Sequence, residues 1–483
     1  MRFGIRSYAV VCAVVSAGAF VVACSSDDGG RVTPVGGDAG PLPDGALPDT
    51  TPDPVKPDAA DPPPVFSPSE IAAMNTLTPL PAVPADPTNA FANNALAAVL
   101  GQRLFFDKSY SGALTVGDDG ANGSLGALGE AGKVACVSCH LSKATDDNRS
   151  KPNNVSLGTG YGTRNALSIV NASFYTWTNW AGRFDSQWSL PPAVAENTAT
   201  MKSSRLQIAH LLWDKYKADY NAIFPVPLDA DLDPAGANPL RFPAAGKPKA
   251  AGVTPPAADG PWEGMDPADQ AIVNRIFANF GKAIAAYMRL EVSRNAPFDK
   301  LVIAVNGGDT NVVGAERRGL RVFLGKGQCI QCHSGPNFAD NQFNNIGVEQ
   351  KGPNVPASDQ GRFQDVPALL ASPFNTNGPY SDNVNTGKLA GLVQAEDQRG
   401  KFRTKSLRGL SNAAPYMHAG QLATLEAVVD YYATGGTSSD AGAKDPRIKP
   451  LGLSAGEASD LVAFLKTLDG DPLPAALLTD TSR

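Results

Sequence analysis

The chain has 483 residues, with 41 Lys or Arg against 47 Asp or Glu, a formal net charge of −6, six Cys and four His. That balance excludes a basic nucleic-acid-binding surface, so no nucleic-acid partner is expected. The length exceeds what a single hydrophobic core organises.

In chain order, Arg2 and Arg6 precede an apolar run at 8–23 that is too short for a stable membrane-spanning helix. Residues 1–23 therefore read as a targeting segment. The run ends Val21-Val22-Ala23-Cys24 and turns polar at Ser25-Ser26-Asp27-Asp28. Small Ala before Cys resembles a bacterial lipobox, with Cys24 lipidated; the alternative is an ordinary secretory signal with an incidental Cys. Several acyl chains would hold such a protein firmly to a membrane. Ser rather than Asp after the Cys resembles an outer-membrane address. Residues 24–66 are rich in Pro, Asp and Gly, have too few apolar side chains for a core, and read as a semi-extended tether.

The body beyond the tether is mainly α in its signals. Residues 89–106 predict an amphipathic helix. Cys136-Val137-Ser138-Cys139-His140 follows after a Gly-rich loop at 111–132. His210 lies in an apolar helix, where a satisfied core role is the ordinary one. After a Pro- and Gly-rich stretch at 226–261, residues 269–292 show apolar positions at helical spacing and no Pro, which predicts a long helix crossing between the two halves. A short helix at 316–324 leads into Cys329-Ile330-Gln331-Cys332-His333. Residues 349–390 read as loop, and 425–432 and 456–468 as closing helices, the last with Ser454 as N-cap. Strand signals are sparse, and no internal repeat beyond the pentapeptides is apparent.

Each pentapeptide is C-x-x-C-H, the signature of c-type haem attachment. Two thiols three residues apart add to the two vinyl groups of one haem, and the adjacent His lies under the iron as its proximal ligand. Two motifs 193 residues apart predict two covalent haems on two cytochrome c-like domains, 67–305 (with the crossing helix) and 306–483. The competing reading, zinc held by two C-x-x-C knuckles, leaves the following His unexplained twice. Haem c is attached outside the cytoplasm, which agrees with the targeting segment.

Further motifs extend the pattern. They are Leu104-Phe105-Phe106-Asp107, Gly162-Thr163-Arg164-Asn165, Trp180-Ala181-Gly182-Arg183-Phe184-Asp185 and Asn295-Ala296-Pro297-Phe298-Asp299. Then come Cys332-His333-Ser334-Gly335-Pro336, Asn344-Asn345-Ile346-Gly347 and Thr404-Lys405-Ser406-Leu407-Arg408. Ala414-Pro415-Tyr416-Met417-His418-Ala419-Gly420 and Thr424-Leu425 close the set. In this order, over about 67–470, they resemble the bacterial dihaem cytochrome c peroxidase/MauG family. The resemblance implies two α-helical cytochrome c domains with one Ca²⁺ between them. It implies a peroxidatic haem on His140, an electron-transfer haem on His333, and Trp180 bridging the two. H₂O₂ or O₂ would be the small substrate. A small periplasmic cytochrome c or cupredoxin would donate electrons, on the periplasmic side of a Gram-negative envelope. Dimerisation, common among relatives, stays open.

The family's sixth ligand to the second haem lies 14 residues after the His of its P-Y-x-H motif, which is Tyr432 here. Peroxidases proper carry Met and the MauG branch Tyr; a phenolate favours ferric iron, a thioether raises the potential. Tyr431 is the alternative, and His418 falls near this haem rather than on its iron. At the first haem, the family's distal His position is Leu157, its Gln is Leu190, and its acid/base Glu is Thr200. A Glu there moves a proton, a contribution of roughly 10²–10⁴-fold, and Thr cannot. Glu196, four residues earlier, either substitutes for it or is a solvated loop carboxylate. For calcium, the resemblance implies the Asn165 side chain and the backbone carbonyls of Ala413 and Pro415, hard oxygen donors that suit the ion. An oxidoreductase is expected. A dihaem electron carrier, or a MauG-like oxidase of a protein or organic substrate with little H₂O₂ turnover, is the alternative.

Overall fold

The computed structural model describes residues 66–118, 125–140, 154–250, 254–255, 257–308 and 314–483. The targeting segment, Cys24 and all of the expected tether except Phe66 lie outside the described residues. Phe66 is buried, with the guanidinium groups of Arg317 and Arg321 over its ring at 4.3 and 5.3 Å. The folded body therefore includes a residue that the sequence boundary assigned to the tether.

Helices dominate: α1 (Pro68–Thr76), α2 (Ala95–Phe106), α3 (Leu190–Glu196), α4 (Arg205–Ile223), α5 (Pro267–Met288), α6 (Pro297–Asn306), α7 (Ala315–Leu324), α8 (Arg362–Leu370), α9 (Leu425–Ala433) and α10 (Ala455–Lys466). Their starts follow capping chemistry. Asp266 accepts from Ala268 N ahead of α5, and Ser454 and Glu457 form a reciprocal capping box at α10. α2 begins six residues later than expected, because Asn94 caps it through Ala97 N while Asn89 donates instead to the Lys282 carbonyl. α8 is a correction. It lies inside the stretch read as loop and carries Pro367 in its interior. One two-residue antiparallel ladder pairs Phe343 with Arg403 and Asn344 with Phe402. Among the described residues no helix is long and apolar enough to cross a membrane.

A repeat becomes visible once the helices are placed. α2 and α5 cross at Gly101, where an added Cβ would collide with the Ala283 carbonyl. α7 and α10 cross at Gly319, where it would collide with the Asp460 carbonyl. Each crossing accompanies one C-x-x-C-H turn. The two entry helices share Gly-x-Arg-x-Phe, as Gly101-Gln102-Arg103-Leu104-Phe105 and Gly319-Leu320-Arg321-Val322-Phe323. Small residues at a crossing let backbones approach, and the Phe four positions on fills the core one turn along the same face.

Two apolar cores result. The first gathers Leu100, Phe105, Trp188, Tyr216, Phe277 and Ile284 from α2, α4, α5 and the chain before α3. The second gathers Phe323, Phe338, Val429, Leu461 and Phe464, together with Phe66, Met74, Leu77, Phe298 and Val302. Residues on both sides of the first core in sequence thus pack into the second. In the other direction, Gln102 Nε2 donates to the carbonyls of Ala476 and Thr479, and Tyr287 Oη donates to that of Leu477. The segment 473–483 therefore returns to the first core.

Candidate functional site

Both pentapeptides form the same local structure. In the second, a 3-10 turn (Cys329–Gln331) brings the N–H groups of Cys332 and His333 onto the Cys329 carbonyl at 3.2 and 2.9 Å. In the first (Cys136–Ser138), Cys139 and His140 donate to the Cys136 carbonyl at 3.1 and 3.0 Å. This turn sets two sulfurs and an imidazole within one short arc. Among the described residues no disulfide joins any of these four motif cysteines. Burial pushes the Cys136 thiol up to about 11 and the Cys329 thiol up to about 12. Thiol–disulfide catalysts need the opposite shift. The two turns belong to different cores, and among the described residues no three or more His, Cys, Asp or Glu side chains assemble into a metal-holding cluster.

Around the second motif lies a cavity of about 230 Å³. Its wall includes Cys329, Cys332, His333, Trp180, Met417, His418 and Tyr432. His333 Nδ1 lies 3.0 Å from the Phe338 carbonyl. A carbonyl only accepts, so Nδ1 carries the proton and Nε2 keeps the lone pair a metal requires. Tyr432, from α9, lies on this wall. Burial, and then its neighbours Tyr431, Cys329 and Cys332, raise its phenol above the ordinary value. Tyr431 is engaged elsewhere, donating to the Ile346 carbonyl at 2.8 Å. The ladder positions Phe402, on whose ring His418 stacks at 4.0 Å between centroids. Burial lowers the His418 imidazole to about 4, so it is neutral.

Trp180 is fixed at three atoms. Nε1 donates to the Asn165 carbonyl at 2.7 Å, its N–H to Asn179 Oδ1 at 2.6 Å, and its carbonyl accepts from Arg403 N at 2.8 Å. Asn165 N in turn donates to the His418 carbonyl at 2.8 Å. The Asn165 Oδ1 oxygen is buried without a hydrogen-bond partner among the described residues. Gly420, at φ +68°, separates Asn165 from Pro415: an added Cβ would lie 2.8 Å from Asn165 Nδ2 and 3.1 Å from Pro415 Cγ. Ala413 is buried in the same turn region. Sequence reasoning missed Arg164 as a structural anchor here. Its guanidinium binds the buried Asp359 through two nitrogens at 2.6 and 2.7 Å and the buried Asp365 at 2.9 Å.

At the first motif, a small cavity of about 10 Å³ is lined by His140, Phe105, Phe106, Val137, Ile169, Val170, Tyr287, Glu291, Leu473 and Leu478. Glu291 is 3% exposed, and burial pushes its carboxyl up to about 7. Nothing in the motif pattern pointed to it; only its position directly after a long apolar helix could have. Leu157 is fully buried, with its carbonyl 3.9 Å from Cys139 Sγ. Thr200 joins the same loop, its carbonyl accepting from Thr159 N at 2.9 Å while its hydroxyl donates to the Val194 carbonyl at 2.5 Å.

Glu196 is a correction. It is neither a solvated loop carboxylate nor free to take over at position 200. It ends α3, and both its oxygens are held by Arg205, Oε1 by Nε at 2.9 Å and Oε2 by the second guanidinium nitrogen at 2.8 Å. Arg205 N adds a third bond to Oε1 at 3.0 Å. His210 takes the core role expected of it, its ring nitrogens 3.1 Å from the carbonyls of Leu232 and Phe242.

Comparison with known proteins agrees in kind. The family model described as di-haem cytochrome c peroxidase matches residues 95–306. The cytochrome-c peroxidase IdrP1 of Denitromonas iodatirespirans is 30% identical over 400 residues, covering 82% of this chain and 87% of that protein. The methylamine utilization protein MauG of Methylorubrum extorquens is 34% identical over 196 residues, 40% of this chain and 45% of its own. Among solved structures, the diheme peroxidase BthA from Burkholderia thailandensis has a TM-score of 0.52 at 18% identity, over 84% of this chain and 95% of that one, a likeness of fold.

Proposed function

The chain belongs to the di-haem cytochrome c peroxidase family and is an oxidoreductase with two c-type haems, and from that premise we propose which residues do the work. Cys136, Cys139 and His140 hold one haem, and Cys329, Cys332 and His333 the other. When bound, these groups supply redox-active iron at two sites. The observation that carries the reading is the cavity in which Cys329, Cys332, His333 and Tyr432 meet, with Trp180 on its wall.

Each side chain then has a task. His333 keeps Nε2 available because Nδ1 is committed to Phe338. Tyr432 would be the second protein ligand of a haem held by His333, because Tyr431 is engaged by its own hydrogen bond. Trp180 forms the bridge, its indole held to Asn165. His418 stays a neutral neighbour of this haem. Asn165, with the carbonyls of Ala413 and Pro415, forms the calcium site; the unpartnered Asn165 oxygen supports this. Leu157, Leu190 and Thr200 would offer no titratable side chain to a haem held by His140.

The reaction is reduction of H₂O₂ at the first haem with electrons entering through the second from a small periplasmic cytochrome c or cupredoxin. MauG-like oxidation of a protein or organic substrate is the second reading. Tyr432 and the lack of a carboxyl at 200 favour it, because both disfavour fast peroxide turnover. The protein is held on the periplasmic side by lipid on Cys24, and its two haem domains each gather around one C-x-x-C-H turn.

Low-temperature electron paramagnetic resonance of the ferric protein tests this, with one high-spin and one low-spin haem expected. Two low-spin signals would sink the open first site. Consumption of H₂O₂ coupled to oxidation of a reduced cytochrome c separates the two readings.

A further inference from the structure

The first cavity contains a carboxyl group that the reaction outlined above does not use. Glu291 follows α5 directly and is buried among Phe105, Val137, Ile169, Leu473 and Leu478. A carboxyl in such surroundings is costly without a donor. Tyr287, one turn earlier on α5, interacts with this carboxyl through its hydroxyl, but that hydroxyl has one proton and also reaches the Leu477 carbonyl at 2.7 Å, so a single donor is shared between two acceptors. Among the described residues lining this cavity, the one other with a side-chain N–H is His140.

Leu157, Leu190 and Thr200, the residues expected where peroxide enters, are not among the described residues lining this cavity, which Glu291 and His140 share.

We infer that Glu291 is the positioning residue behind His140, the acceptor toward which the imidazole N–H points when the other ring nitrogen is on iron. The inference rests on His140 being that ligand. A ligating His directs its free N–H to a carboxylate, a carbonyl or water, which fixes the tautomer, and a carboxylate partner raises the donor strength of the ring. The two haems then differ behind their proximal ligands. His333 gives its proton to the neutral Phe338 carbonyl, whereas His140 faces a carboxyl. The stronger donor ring falls to the iron assigned to peroxide chemistry, and the weaker to the electron-transfer iron.

Resonance Raman spectroscopy of the reduced, haem-loaded protein reads this bond through the iron–histidine stretching band of the five-coordinate haem. The wild-type band is expected in the range of carboxylate-bonded imidazoles. It should shift down in Glu291→Gln, with a rise in the midpoint potential of the first haem and none in the second. A wild-type band in the range of carbonyl-bonded imidazoles overturns the inference without any variant. So does a Glu291→Gln protein with both haems attached and an unmoved band. If His140→Ala keeps the wild-type band, the assignment of His140 itself has failed, and the inference falls with it.

Discussion

The indole of Trp180 hydrogen-bonds the backbone of Asn165 at 2.7 Å, and the side-chain oxygen of that same Asn165 is buried without a partner among the described residues. Asn165 therefore links the wall of the second cavity, through Trp180, to the candidate calcium site.

Trp180→Phe keeps an aromatic wall but removes the donor. The Asn165 carbonyl then loses its bond in a buried setting, a cost of about 1–3 kcal/mol, measurable by denaturant titration. Both haems should still attach. Transfer of electrons from the second haem to the first, followed by stopped-flow reduction, should slow. Unchanged transfer would remove Trp180 from the path.

Tyr432→Phe should alter the low-spin ferric signal, because a phenol on the cavity wall is lost. Tyr431→Phe is the control. It breaks the bond to Ile346 and costs about 1 kcal/mol, yet should leave the spectrum as it was. The reverse pattern would reassign the ligand.

Thr200→Glu places a carboxyl where a proton carrier belongs. Peroxide turnover should rise by roughly 10²-fold, the lower end of what acid–base catalysis supplies, and Thr200→Gln should give no gain. Equal rates for all three proteins would mean that proton delivery at this position is not what holds turnover back.

Asp299 and Arg408 form a buried two-pronged ion pair at 2.8 and 2.9 Å, with Thr78 Oγ1 donating to the same carboxylate. Asp299→Asn leaves Arg408 buried without its counter-charge and should destabilise by about 3–5 kcal/mol. Burial alone would raise the Asp299 carboxyl; hydrogen bonds from Arg408 and Thr78 and the charge of Arg408 outweigh it and hold it below the ordinary value. A depressed folded-state pKa gives stability that is present above the unfolded value and lost as pH falls through the folded one. The wild type should lose this contribution below about pH 4. The Asn variant should lack that part of the acid slope in pH-dependent unfolding.

Local chemistry made much of this legible in advance. Ser454-x-x-Glu457 announces α10, and the pentapeptides announce their turns, because the determining contacts lie within four residues. α8 was hidden because Pro367 breaks the pattern that helices usually show. Glu196 was misjudged because its partner Arg205 lies on the next helix, and an ion pair between elements leaves no periodic trace. Glu291 was invisible for the same reason, as its neighbours come from the motif and from segment 473–478. The Gly-x-Arg-x-Phe repeat was in plain letters; it acquires meaning only once both glycines are seen at helix crossings.

The bonds from Gln102 to Ala476 and Thr479 join positions 374 and 377 residues apart. Such closure is slow, since a long loop must be ordered before the contact forms. As the chain emerges, Val137 and His140 arrive long before Leu473 and Leu478, which line the same cavity. The first core is therefore completed only after the whole chain has been made. Its closure is the last step that the order of the letters permits.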